Sequence, residues 1–330
     1  MQTLRRHTLA PLSLMLAAFS VPAVADFSFG RSDEAMLGLG KAYGYLLAQD
    51  YTLKLIPTRY PELQASAKSA ELNFASVFGN SIKDKLGAEI SAAIGEDTFR
   101  PMVSRMEAAL AEKIDVPALT HRNAVKFIAE VNNAEKGKVD ASVFPYLAAV
   151  RYKDQPASEF TDKLLQRFDT QGQPNSLGVN LMMDLPISWV AEKAHTKSVQ
   201  RWHSMAGYGR QVITLDVVNT GARISTQDIK DQLAGGRIRT LTPPDSTFIN
   251  GGAQTVASLP GYWLDYNTEV EQDGFKAYQA VRLNVFFKAD KAVLVSCGTT
   301  SSQAKKAQAD KDFTKLQALC PLVVNSIVLH

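Results

Sequence analysis

Residues 179–189 read VNLMMDLPISW, and this stretch decides the architecture of the C-terminal half. Val179, Leu181, Met183 and Leu185 alternate with Asn180, Met182 and Asp184, which is the period of a strand with one buried face. Pro186 then ends the strand, because proline has no N–H to give a ladder, and Ile187, Ser188 and Trp189 must leave the sheet. Outward from here the chain is helical on the N-terminal side and mainly extended on the other. Nowhere does a catalytic or metal-binding constellation rise above chance.

Just before this strand, Gln171, Gly172, Gln173, Pro174, Asn175 and Ser176 cluster where the periodicity switches from helix to strand, and they read as a linker. After it, Val199 to Met205 and Val212 to Val218 alternate again, with Ile213, Leu215 and Val217 on the core side. Thr226 is placed to cap a helix through Leu233. Phe248 to Ser258, Tyr262 to Val270, Phe275 to Phe287 and Ala292 to Cys297 then form an antiparallel meander, with Asp273 and Gly274 as a hairpin signal. Ser301 or Ser302 can cap a final helix to Leu319, and Pro321 restarts a shorter one through Ile327. Helices before, between and after the strands predict an antiparallel sheet covered on both faces.

Before the linker the period is helical. Ser32 is a good N-cap, Asp33 and Glu34 suit the positive end of the dipole, and Pro57 ends the first helix after Ile56. Gly38, Gly40 and Gly44 lie inside that helix. No strand precedes them and the third is one residue late for a dinucleotide loop, so close helix packing is the better reading. Further helices are predicted from Pro61 to Phe78, from Ser81 to Ile94, over Phe99 to Leu110, and over Val125 to Val131 with Thr120 as cap. The last runs from Glu159 to Phe168, with Phe160, Leu164, Leu165 and Phe168 inward, while Val143 to Tyr152 fits either a helix or a short strand. The fold class is therefore α+β: an all-α bundle over residues 26–170 and an α/β/α sandwich with a mainly antiparallel sheet over 171–330.

Residues 1–25 have the pattern of a Sec signal peptide. Arg5 and Arg6 precede an apolar run from Leu9 to Phe19, and Ala23 and Ala25 place small residues before a cut ahead of Asp26. The run is shorter than the roughly 20 apolar residues that span a bilayer, and no cysteine lies near the cut to carry a lipid. The expected product is periplasmic or secreted, without a transmembrane segment or lipid anchor. Removing Arg5 and Arg6 leaves 34 basic and 33 acidic residues, a balance that offers nucleic acid no general basic excess. Hydrophobic residues at 45% and charged residues at 21% suit two domains that each bury a core. Cys297 and Cys320 both fall on inward faces, which permits either a disulfide in an oxidising compartment or two buried thiols.

The strand ending in Leu185, Pro186, Ile187, Ser188 and Trp189, the Leu259, Pro260, Gly261, Tyr262 turn, and the ending Phe313 to Leu316 followed by Pro321, Asn325, Ser326 and Ile327 resemble the PsbP-like sandwich, whose bacterial relatives include exported proteins of the DcrB type. The resemblance covers residues about 178–330. It implies a small α/β/α domain that attaches to a larger assembly rather than performing chemistry. The helical region in front departs from that family.

Ser302 and Lys305 have the serine-to-lysine spacing of penicillin-recognising enzymes, but the partner motifs are absent and no glycine-flanked serine elbow occurs. His195 and His203 lie close together without a third ligand at helical spacing, so neither a metal nor a cofactor is expected. Trp189, Trp202, His203, Tyr262, Trp263 and Tyr266 concentrate aromatic and imidazole groups in the second domain, where they are candidates for a binding surface as well as for core. The resulting expectation is an exported accessory protein that binds an envelope protein partner and is not an enzyme. The alternatives are an envelope hydrolase with an interdomain cleft and a carrier of a small ligand or lipid.

Overall fold

The computed structural model describes Phe29 and residues 32–113, 119–136, 138–192, 197–272 and 275–330. The predicted signal peptide (1–25), His195 and the predicted hairpin turn at Asp273–Gly274 lie outside these described residues. The N-terminal region consists of α1 (Asp33–Arg59), α2 (Gln64–Phe78), α3 (Ile82–Ile94), α4 (Glu96–Lys113), α5 (His121–Asn132) and α6 (Phe144–Tyr152). Ser32 caps α1 by accepting from the Ala35 N–H, and Thr120 caps α5 by accepting from that of Asn123. Pro57 does not end α1, which continues to Arg59. The segment left open between helix and strand, 143–152, is helical: Pro145 supplies a preset φ in the first turn of α6, and the helix buries Leu147 and Val150. The core of this region includes Leu39, Leu46, Phe74, Phe78, Leu86, Ile90 and Leu147.

The Glu159–Phe168 helix needs correction. α7 (Pro156–Thr161) stops, Lys163 turns the chain with φ 63°, and Leu165–Asp169 is a strand, β1. Phe160, Leu164, Leu165 and Phe168 fit a helical stripe, but pairing with β2 (Leu181–Pro186) outweighs that local pattern, and Arg167 forms a cross-strand ion pair with Asp184. Gln171–Ser176, read as a linker, is the connection between these two strands. Buried Thr170 fastens it, donating its hydroxyl to the Val179 carbonyl and accepting from the Leu181 N–H.

β1, β2 and the short β10 (Val328–Leu329) form a three-stranded sheet. The larger sheet has the order β3-β4-β5-β9-β8-β7-β6, from β3 (Val190–Ala191), β4 (Gln200–His203), β5 (Gln211–Asn219), β6 (Ser246–Val256), β7 (Leu259–Gln272), β8 (Phe275–Lys288) and β9 (Lys291–Ser302). All its pairings are antiparallel. One face packs Ile213, Leu215, Val293 and Val295 against α9 (Lys306–Asn325) and the inward side of β2. The other carries Leu264, Tyr266, Val281, Leu283 and Leu294, with Ile238 and Leu241 from the turn after α8 (Thr226–Leu233) laid over them. Helical segments therefore flank both faces, as the sequence predicts.

Three further helix boundaries differ from expectation. Ser225, rather than Thr226, caps α8, in a reciprocal capping box with Asp228. Neither Ser301 nor Ser302 caps the last helix, because Gln303–Lys305 forms a 3₁₀ turn ahead of α9. Pro321 does not break that helix. Its missing N–H leaves the Gln317 carbonyl without the usual i+4 donor, and Arg282 Nη1 from β8 donates to that carbonyl at 3.3 Å. Cys297 on β9 and Cys320 on α9 form a disulfide between sheet and helix, so of the two readings of these residues the paired one holds.

Candidate functional site

The site is a groove where the helical region meets the sandwich, and two local devices build it. The first is Gly38 on α1. A Cβ there would lie 1.9 Å from Tyr146 Cζ, so only glycine lets that ring rest on the helix. Close packing is the expectation for all three glycines of α1; it holds at Gly38 and, against Met106 Cε at 3.0 Å, at Gly44, whereas nothing lies within 4 Å of a Cβ at Gly40. Tyr146 is stacked between Phe29 (6.1 Å between centroids) and Tyr208 (6.5 Å), and burial raises its pKa further above the ordinary tyrosine value.

The second device is the Ser204–Gly209 turn between β4 and β5. Met205 and Ala206 hold φ of 54° and 56°, a left-handed conformation that costs a non-glycine residue about 1 kcal/mol or more. A Cβ on Gly209 would meet Ser204 Oγ at 2.1 Å, so glycine is needed there too. The strain is offset by packing: Met205 and Ala206 are buried in the core of the helices, not in that of the sandwich.

Behind Ala206 lies a chain of hydrogen bonds that begins at a buried carboxyl. Ala206 donates its N–H to the Ser188 carbonyl at 2.8 Å. Ser188 donates its own N–H and hydroxyl to the two oxygens of Glu159, at 2.7 and 2.6 Å. Glu159 is 1% exposed. Burial pushes its pKa up to about 7, although the bonds from Ser188 and Ile187 pull in the opposite direction. The Ile187–Trp189 exit that Pro186 imposes is thus held by a carboxyl on α7.

The groove itself is open and has a volume of about 290 Å³. Leu37, Pro145, Tyr146, Val190 and Ala206 give it an apolar lining, with Glu34 and Lys41 from α1 contributing opposite charges. Leu37 is 60% exposed. Such a surface can take up apolar side chains and orient them by flanking charge; Ser142 also lines it, with its hydroxyl donating to the Asp140 carboxylate at 2.7 Å in the turn ahead of α6.

The residues singled out from the sequence are not brought together. Trp189 and Trp202 are fully buried in the sandwich, Trp202 with its ring edge-to-face on Phe168 at 4.8 Å. Tyr262 and Tyr266 belong to the opposite face of the large sheet. Trp263 lies on the α9 face beneath the Arg282 guanidinium, 4.5 Å from its ring centroid. His203 pairs in register with Val190, which places it nearest the groove, and its Nε2 is 3.5 Å from Glu192. Among the described residues no group of three or more His, Cys, Asp or Glu is gathered to hold a metal. The sequence reading missed Tyr146, Tyr208 and Glu159; the cluster of Ser204, Gly207 and Gly209 around Tyr208 was the available signal for a tight turn.

No protein-family model matches this chain, and no curated protein matches it. Among solved structures it is similar to LpqN of Mycobacterium tuberculosis, a protein involved in cell envelope biogenesis, with 12% identity, a TM-score of 0.30, and coverage of 53% of this chain and 96% of that one. The Ran-binding protein Mog1p of Saccharomyces cerevisiae gives 12% identity and a TM-score of 0.30, over 50% of this chain and 95% of its own. PA94 of Pseudomonas aeruginosa, a putative regulator of unknown function, gives 11% and 0.21, over 42% and 88%. These likenesses fall on the C-terminal half only.

Proposed function

We propose that this chain is an exported, non-enzymatic accessory protein of the cell envelope that holds a protein partner in the groove between α1, α6 and the Ala206 turn. In this reading the signal peptide is cleaved after Ala25, and the helices α1–α6 of the 26–170 region and the DcrB-type sandwich, which takes in β1 (Leu165–Asp169) as well as 171–330, form the two walls. The observation that carries it is the groove's surface: an apolar lining with Leu37 60% exposed, between one acid and one base. A hydrolase would need convergent polar groups in a deep cleft, and a carrier an enclosed cavity. The Cys297–Cys320 disulfide supports an oxidising compartment. Among the described residues no helix is long and apolar enough to cross a membrane.

The test places a photo-crosslinking residue at Leu37 in the native envelope, with Leu72, an exposed leucine on α2, as control. One reproducible partner captured from position 37, absent from position 72 and lost when Lys41→Glu is added in the same groove, is the expected result. Turnover by the purified protein that disappears on a single substitution outside the groove would overturn the reading.

A further inference from the structure

The two edges of the seven-stranded sheet differ in length and chemistry. One edge is β3, two residues long. The other is β6, eleven residues reading STFINGGAQTV without a charge or a proline. Edges that stay solitary usually carry lysine, proline or an inward charge, because unpaired backbone groups template another strand. β6 has a bulge between Phe248 and Asn250, and α8 and the turn after it lie against one of its faces, with Ile238 at Gly251; from Asn250 to Val256 its pairing with β7 is regular.

The turn fixes which backbone groups face outward. Val256 pairs with Leu259 across a two-residue loop, Ala257 and Ser258, whose φ values of 48° and 67° suit a tight hairpin turn. Residues flanking such a turn exchange hydrogen bonds, and the ladder alternates from there. Val256, Gln254, Gly252 and Asn250 therefore bond to β7, and Thr255, Ala253 and Gly251 turn their N–H and carbonyl groups outward. Among the described residues no strand lies beyond β6.

We propose that β6 pairs antiparallel with β6 of a second copy of this chain, around a two-fold axis at Ala253. This register is self-complementary. Ala253 meets Ala253 of the other copy, Gly251 meets Thr255 and Gly252 meets Gln254, so the outward backbone groups of Ala253 and Thr255 gain partners, and the Gly251 N–H exchanges its 2.8 Å bond to Asn250 Oδ1 for one to the other strand. A charged partner strand would find no complementary charge on β6, whereas a second β6 needs none. The two-residue β3 cannot receive an eleven-residue strand, so a head-to-tail fibre is disfavoured and the closed pair is the geometry left. The result is one sheet continuous through both copies. This inference is independent of the groove, which lies at the β3 end.

The test is sedimentation of the full mature chain, with the exposed Ala253 replaced by Lys or by Glu. The unsubstituted chain is expected to be a dimer. Each variant alone sets like charges against each other at the two-fold axis and should weaken dimerisation by about tenfold or more, with an unchanged circular dichroism spectrum. An equimolar mixture of the Lys and Glu variants should dimerise again, a rescue that mere structural damage could not produce. A monomeric unsubstituted chain, a fully dimeric Ala253→Lys, or a mixture that stays monomeric would each overturn the proposal.

Discussion

Two buried carboxylates divide this molecule by how they are neutralised. Asp265 on β7 is 2% exposed and accepts two 2.7 Å hydrogen bonds from the Arg282 guanidinium, while Gln317 of α9 donates a third at 3.3 Å. Glu159 on α7 is as deeply buried, but its donors are Ser188 and the Ile187 N–H. In the first place charge is cancelled by charge, so ionisation is compatible with burial. In the second, the neutral acid is favoured until about pH 7. The α9 face is thus held by a disulfide and a bidentate ion pair, and the junction beside the groove by a carboxyl whose charge depends on pH.

Breaking the first carboxylate's environment should have the largest effect. Arg282→Met removes the bidentate partner of Asp265, the donor to the Gln317 carbonyl that Pro321 orphans, and the cation over Trp263. Loss of one partner from a buried ion pair costs about 3–5 kcal/mol, and urea denaturation of Arg282→Met should show a loss of that order. A loss under about 1 kcal/mol would mean that water or a neighbouring group solvates Asp265, and the contrast between the two carboxylates would collapse.

Glu159 sharpens the contrast through pH. Its folded-state pKa is raised from 4.5 to about 7, so between those values the folded chain binds more protons than the unfolded one. Its contribution is fully present below about pH 4.5 and declines as pH rises through 7, by up to about 3 kcal/mol. Glu159→Gln keeps an acceptor for Ser188 and does not ionise. The difference in unfolding free energy between the wild type and Glu159→Gln should therefore move in favour of the variant from pH 4.5 to 7. A difference that stays constant over that range would show that Glu159 is already ionised when folded.

Much of the fold was legible because it depends on local period and on caps. Ser32 and Thr120 each act as the N-caps the pattern suggested, and the alternation around Val293 and Ile213 gave the sheet its inward face, hence the meeting of Cys297 with Cys320. What was illegible depends on distance in the chain. Leu165 to Phe168 fit both periods, and only the pairing with β2 decides between them. Nothing near Glu159 announces that Ser188, 29 residues later, will enclose it. The candidate site was harder still. Aromatic side chains were counted in the sandwich because all three tryptophans are there, whereas the groove is floored by Tyr146 from the helices and walled in part by Ala206, a small residue whose importance lies in its backbone.

The smallest effect tests that floor directly. Gly38→Ala should gain about 1 kcal/mol from helix propensity but lose about 1–3 kcal/mol by forcing the Tyr146 ring away from a Cβ that would sit 1.9 Å from it. The net is a modest destabilisation, readable as a lower urea midpoint. In a Tyr146→Ala background the clash partner is gone, and the same Gly38→Ala change should become stabilising by about 1 kcal/mol. A reversal of sign between the two backgrounds isolates the contact from the general cost of altering α1. If Gly38→Ala has the same sign and size in both, the ring does not depend on that glycine, and the groove's floor is set instead by its stacking between Phe29 and Tyr208.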